Sequence, residues 1–225
     1  MIQMQLIKAI RSDIQAIFNH DPAVKSILEI LFAYPGFHAR QLHRIAHSLY
    51  KWHIPFFPRF ISHISRFITG IEIHPAVEIG ESLFIDHGMG VLIGETSQIG
   101  DNVVIYQGVT LGGTSLQKKK RHPTLGNNVV IGAGAILIGA IHVGSNSKVG
   151  AGSVVITSVP ANATVVGVPG RVVEIRRPDT DIVEKLPDPV WEKIETLEKR
   201  VSDLERAFFD STDNRKATSE YPPGV

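Results

Sequence analysis

From Ile73 onward an aliphatic residue recurs at every sixth position, a period that few folds can use. The first run is Ile73, Ile79 and Ile85, and after a shift of two it resumes as Ile93, Ile99, Ile105 and Leu111. After a longer interruption it returns as Leu125, Ile131, Leu137, Val143, Val149 and Val155. Glycine often follows, as at Gly80, Gly94, Gly100, Gly126 and Gly132, but Ile138 and Ile156, eighteen residues apart, break that pattern. A period of six matches neither a helix nor a simple strand. It fits a short flat strand, one inward aliphatic side chain and a tight turn. Three such faces close a triangular coil of eighteen residues, and stacked coils pile their aliphatics into one core. A β-sandwich with regular turns explains alternating strands but not strict phasing, so a β-helix solenoid over 71–175 is the expected fold.

The interruption Gly112–Thr124 (GGTSLQKKKRHPT) is out of register and must leave the solenoid surface as an excursion, where function tends to sit. Residues 1–70, nearly free of glycine, read as a helical domain. Asp21-Pro22 reads as a helix start, with helical spacing over Ala23–Leu31 and Ala39–Lys51; Pro35-Gly36 separates the two stretches, and Pro55 and Pro58 end the second. Residues 176–225 form a tail. In it Val190, Ile194, Leu197, Val201, Leu204 and Phe208 make a heptad seam, predicting a helix over about 189–209. That helix either lies back on its own subunit or self-associates. Ser211–Val225 reads as polar and disordered.

Composition removes whole classes of function. The absence of cysteine excludes disulfide scaffolds, thiol nucleophiles and Cys-ligated metals. With 23 Lys and Arg against 22 Asp and Glu, there is no basic field for nucleic acid or an anionic membrane. No apolar run approaches a membrane span, and the N-terminus lacks a secretory signal pattern, so a cytoplasmic protein is expected.

Polar residues stand out where the repeat expects others: Glu72 and His74, Asp86-His87-Gly88, and Arg121-His122. Each alone has a plain structural explanation. A histidine near a turn is more often solvated or structural than catalytic, the Lys118–Arg121 run is an ordinary solvated loop face, and Asp21 is accounted for as a helix cap.

Taken together, the motifs resemble one family. The stretches GFHARQLHRIAH, IEIHPAVEIGESLFIDHGMGVLIGET, GVTLGGTSLQKKKRHPTLG and GAGAILIGAIHVGSNSKVGAGSVV are similar to those of the serine O-acetyltransferases, over about residues 13–175. The resemblance implies an N-terminal helical segment on a left-handed parallel β-helix, with handedness carried by the resemblance alone. It implies acetyl transfer from acetyl-CoA to L-serine, giving O-acetyl-L-serine and CoA for cysteine synthesis, without a metal. His87 matches the general base, which a weakly nucleophilic hydroxyl needs. Glu72 stands where many members have the Asp that orients that histidine, and its extra methylene alters the dyad. Asp21 and Asp86 match the residues that bind the serine amino group. Arg121 and His122 match those that bind the carboxylate, for which an arginine fork is suited. Gly113, Thr114, Ala133 and Ala151 match positions lining the acetyl-CoA groove, and backbone amides near Gly112-Gly113 are expected to stabilise the oxyanion.

The resemblance further implies a homotrimer whose pockets form between subunits, and L-cysteine as a feedback inhibitor. Longer members carry extra N-terminal residues that join two trimers; this chain begins shortly before Asp21, so a plain trimer is expected, with a higher assembly left open. Longer members also bind O-acetylserine sulfhydrylase through a tail ending in Ile. Here the tail ends in Val225, one methylene short, a loss of about 1 kcal/mol at such a contact. Three alternatives stay open on the residues alone: a hexapeptide acyltransferase for a sugar hydroxyl, a metal hydratase using His74, His87, His122 or His142, and a structural trimerisation module.

Overall fold

The computed structural model describes residues 2–177, 183–185 and 189–217. It divides into two units, residues 1–185 and 186–225. Helices and solenoid therefore share the first unit. Four helices lead: α1 (Ile2–His20), α2 (Ile27–Ala33), α3 (Pro35–Lys51) and α4 (Phe57–Thr69).

The Asp21-Pro22 helix start is corrected. Asp21 follows the end of α1, and its carboxylate accepts from the Ala23 amide at 2.8 Å to close a turn. The cap of α2 is Ser26, whose hydroxyl accepts from the Glu29 amide at 3.2 Å. Pro35 and Pro58 are helix-starting prolines in the first turns of α3 and α4, where the missing amide costs nothing.

The solenoid is as the period requires. Its first coil is β1 (Glu72–Ile73), β2 (Glu78–Ile79) and β3 (Phe84–Ile85); its second is β4 (Leu92–Ile93), β5 (Gln98–Ile99) and β6 (Val104–Ile105). The third is β7 (Thr110–Gly112), β8 (Thr124–Leu125) and β9 (Val130–Ile131), and the fourth is β10 (Ile136–Ile138), β11 (His142–Val143) and β12 (Lys148–Val149). The chain closes with β13 (Val154–Val155) and β14 (Ala163–Val166), followed by β15 (Arg171–Arg176) and β16 (Val183–Lys185). Three parallel sheets form the faces: β1-β4-β7-β10-β13 (sheet A), β2-β5-β8-β11 (sheet B), and β3-β6-β9-β12-β14 (sheet C), which β15 and β16 extend antiparallel.

Register shows where the repeat bends. Ile93 pairs with Leu111, eighteen residues on, and the same offset joins Ile131 to Val149 and Leu137 to Val155. Ile73 pairs with Ile93 at an offset of twenty, and Leu111 with Leu137 at twenty-six. The surplus residues are extruded at corners, at 86–91 and 113–123. The phased aliphatics fill the interior, with Leu111, Leu137, Ile105 and Ile131 fully buried. A second inward position two residues earlier, unnoticed in the sequence, holds smaller side chains such as Val91, Val109, Ala135 and Ser153.

Each face has its own cover. Phe84 and Val104 on sheet C pack under Ile17, Ile30 and Phe37 of the helices. Sheet B shows solvent the polar column Glu78, Gln98, Thr124 and His142. Sheet A carries Leu92, Thr110, Ile136 and Val154 on its outer side, a largely apolar column. At the corner between sheets B and C, Asn102, Asn128, Asn146 and Asn162 all have positive φ and stack as an amide ladder of 3.3, 3.0 and 2.9 Å bonds. Asparagine tolerates that backbone better than other side chains.

In the second unit α5 spans Pro189–Ala217, longer than the heptads alone predict and running past Ser211. Leu197, Val201 and Leu204 of the seam are exposed. The rest of the tail, with Pro222 to Val225, lies outside the described residues.

On α3, Arg40 donates to the carbonyls of Ile79 and Gly80 at the solenoid rim, and burial lowers its pKa to about 10. Beside it burial, reinforced by Arg40, pushes His43 down to about 3. An unfolded histidine titrates near 6.5. Between those values the unfolded chain binds a proton that the native state refuses, so stability falls as pH drops below 6.5, by up to about 1.4 kcal/mol per pH unit for this group. Thermal midpoints measured from pH 7.5 to 5 should decline, and His43→Gln should flatten that slope.

Candidate active site

The extruded corner at 86–91 makes the first half of the site. His87 sits at φ 57, and its side chain is 73% exposed, standing off the corner between sheets C and A. A left-handed non-glycine residue here is strained backbone, of the kind found at functional positions. Its nearest acid is Asp86, Oδ1 to Nε2 at 3.9 Å, too far for a hydrogen bond. Around this corner gather two more groups. Tyr34 donates its hydroxyl to Asp21 Oδ2 at 2.7 Å, and burial, the Asp21 bond and the charge of nearby Asp86 raise the phenol's pKa. The α3 start comes this close because residue 36 is glycine: a Cβ there would lie 2.1 Å from the Ile85 carbonyl oxygen. Asp21, Tyr34, Asp86 and His87 thus form one acidic, hydroxyl-bearing mouth.

Along the same corner the next coils offer small residues. Gly108, Gly134 and Gly152 bond in turn to the carbonyls of Met89, Gln107 and Ala133, so Ala133 and Ala151 stack one coil apart. A Cβ built at Gly134 or Gly152 would meet nothing within 4 Å. The surface at this corner is therefore open along the coils that lead away from His87.

The excursion 113–123 makes the second half, at the corner between sheets A and B. His122 is buried, its ring lying over Gly94, where a Cβ would be 2.1 Å from Cδ2, and 3.0 Å from the place of a Gly113 Cβ. Burial and the neighbouring Arg121 lower its pKa, favouring the neutral imidazole. Arg121 pairs with Glu95 and donates through Nη1 to the Gln117 carbonyl at 3.0 Å. Thr114 faces Gly139, where the nearest hydroxyl contact of a Cβ would be 3.7 Å. At the excursion's tip Leu116 is fully exposed.

Glu72 stands between the two halves, on the outer side of sheet A. Its Oε2 accepts from Arg66 of α4 at 3.0 Å, and no bond joins it to His87 among the described residues. His74, on the same face, is pushed down to about 4 by burial and then by Arg59. Three site residues escaped the sequence reading. Tyr34 was hidden beside Pro35-Gly36. Glu95 and Thr96 looked like ordinary corner residues after Gly94, and only the eight surplus residues of the following coil indicate what folds over them. Among the described residues of one chain no three His, Asp or Glu side chains are placed to hold a metal ion. No described helix is long and apolar enough to cross a membrane.

The coil is similar to that of the hexapeptide transferases: a family profile described as bacterial transferase hexapeptide, with six repeats, matches residues 122–157. A second profile, the serine acetyltransferase N-terminal domain, matches residues 2–42. A serine acetyltransferase from Synechocystis sp. is 53% identical over 210 residues, covering 89% of this chain and 84% of the relative. One from Staphylococcus aureus is 53% identical over 201 residues, covering 88% and 94%. Among solved structures, serine acetyltransferase from Neisseria gonorrhoeae in complex with serine shares 43% identity at TM-score 0.73, over 76% of this chain and 69% of that one. The Brucella abortus enzyme in complex with coenzyme A shares 46% identity at TM-score 0.73, over 75% and 68%. The chain belongs to the serine acetyltransferase family.

Gly94→Ala tests the packing at the second half. Its methyl would occupy the His122 ring's place, so a crystal structure should show the imidazole displaced while the solenoid, read by circular dichroism, stays intact.

Proposed function

We propose that the chain transfers the acetyl group of acetyl-CoA to the hydroxyl of L-serine, with His87 as general base, in pockets completed by a neighbouring copy of the chain within a left-handed β-helical homotrimer. The observation that carries this is the split of the site. Asp21, Asp86, His87, Ala133 and Ala151 lie at one corner of the triangular coil, and Gly113, Thr114, Arg121 and His122 at another, with the width of sheet A between them. A second copy seated on the largely apolar outer column of sheet A would bring its excursion to the first copy's His87. Faces B and C are polar or already covered, which leaves sheet A for that contact.

The chemistry follows from the groups present. Asp21 and Asp86 are carboxylates suited to the ammonium of serine, and Arg121 of the adjoining copy to its carboxylate. His87 takes the hydroxyl proton as the serine oxygen attacks the thioester carbon. The tetrahedral intermediate collapses with cleavage of the carbon–sulfur bond, and the imidazolium returns the proton to the leaving CoA sulfur. Glu72, whose Oε2 accepts from Arg66, would orient His87 through Oε1 once the pocket is assembled. The pantetheine arm would lie in the channel past Ala133 and Ala151, against Gly113 and Thr114 of the adjoining copy. L-Cysteine, nearly isosteric with serine, fits the same pocket as an inhibitor. Use of acetyl-CoA favours a cytoplasmic location. Docking of the C-terminal tail on O-acetylserine sulfhydrylase is part of the same reading, as is pairing of the α5 seams; whether two trimers join is a matter for sedimentation.

Purified protein should release CoA from acetyl-CoA with L-serine, less with L-cysteine added, and not with sugar acceptors; release with a sugar alone overturns the amino-acid site. His87→Ala should lower turnover about 10²- to 10⁴-fold. His87→Ala and His122→Ala chains, each impaired alone, should regain activity when refolded together, because mixed trimers contain intact pockets. Failure to complement would place both histidines in one chain's pocket.

A further inference from the structure

The excursion returns to the solenoid over a single threonine. The Thr96 hydroxyl oxygen accepts from the Arg121 amide at 3.0 Å and from the His122 amide at 3.1 Å. Its distance to His122 Nδ1 is 2.9 Å, and the Thr96 backbone amide also reaches Nδ1, at 3.2 Å. Lys120 in turn donates to the Thr96 carbonyl. A hydroxyl has two acceptor lone pairs and one proton. Both lone pairs are taken by backbone N–H groups, which can only donate, so the remaining proton must point at Nδ1. The Thr96 amide, again an obligate donor, points there too. Nδ1 is therefore an acceptor, and a neutral imidazole must carry its proton on Nε2. No described residue lies within hydrogen-bond distance of Nε2, which sits in the gap left by the missing side chains of Gly94 and Gly113.

We propose that Thr96 is a positioning residue that locks His122 in the Nε2–H tautomer, so that the ring enters the acceptor pocket as a fixed hydrogen-bond donor to a substrate oxygen. It cannot then serve as a second base, which assigns proton removal to His87 alone. This rests on the reading of the pocket as an amino-acid site, but the tautomer does not. Burial, Arg121 and Lys120 disfavour a second proton on the ring, and Glu95 opposes them.

The test uses the full-length assembled protein, labelled with ¹⁵N-histidine, with long-range ¹⁵N–¹H correlations assigned through His122→Gln. In the wild type and in Thr96→Ser, His122 should show protonated Nε2 and unprotonated Nδ1. In Thr96→Val, where only the 3.2 Å backbone amide bond still holds Nδ1, the Nδ1-protonated tautomer should become detectable, with KM for L-serine raised about 5-fold, the loss expected for one neutral hydrogen bond, and KM for acetyl-CoA unchanged. Thr96→Ser should recover the serine KM. Protonated Nδ1 in the wild type overturns the proposal, as does a Thr96→Val variant that keeps both the tautomer and the serine KM. Should Thr96→Val fail to fold, the wild-type and Thr96→Ser spectra decide. Should the wild type not acetylate serine, the spectra still decide the tautomer, and the pocket's substrate is what falls.

Discussion

Every coil of this solenoid must set its inward aliphatic side chains directly above those of the coil before. Backbone hydrogen bonds run along the axis from strand to strand, so a slip of one residue would turn a whole column outward. Ile93 over Leu111 and Leu137 over Val155 show the constraint obeyed at eighteen residues. It explains why surplus residues cannot be absorbed within a face. They can only bulge at corners, and the two largest surpluses, before Leu92 and after Gly112, carry His87 and His122.

The same constraint governs glycine use. At Gly94 the absent side chain makes room for an imidazole, and at Gly36 it lets a helix start touch a strand carbonyl. At Gly134 and Gly152 there is nothing to collide with, and the positive φ of 67 and 68 alone accounts for the residue type. One residue type thus does three different jobs in this chain, and only the packing around each tells them apart.

Much of this was legible in the sequence. The six-residue phase of Ile, Leu and Val specified the solenoid, its core and the excursion, because inward positions admit little else. The helices were less legible: Asp21-Pro22 has the composition of a helix start, yet the Asp carboxylate closes a turn and binds Tyr34 instead, while Ser26 does the capping. The candidate site residues were named through resemblance, but their division between two corners of one coil was not legible, since it depends on which residues the register extrudes. Thr96 was invisible for a different reason. Its importance lies in three hydrogen bonds to residues twenty-five and twenty-six positions away, and a threonine at a turn gives no hint of them.

If the acyl carrier lies along this corner, as proposed, the stacked small residues would act as a ruler. Successive strands in a sheet are separated by about 4.8 Å, so the three coil steps from His87 to Ala151 measure about 14 Å along the axis. The distance is quantised, since coils come only whole. A duplicated or deleted coil would leave the core closed and the reacting end untouched, yet would shift the far wall by one full step. Lineages that vary coil number on this side of the base would therefore change which length of acyl carrier they accept in discrete increments, with no intermediate lengths available.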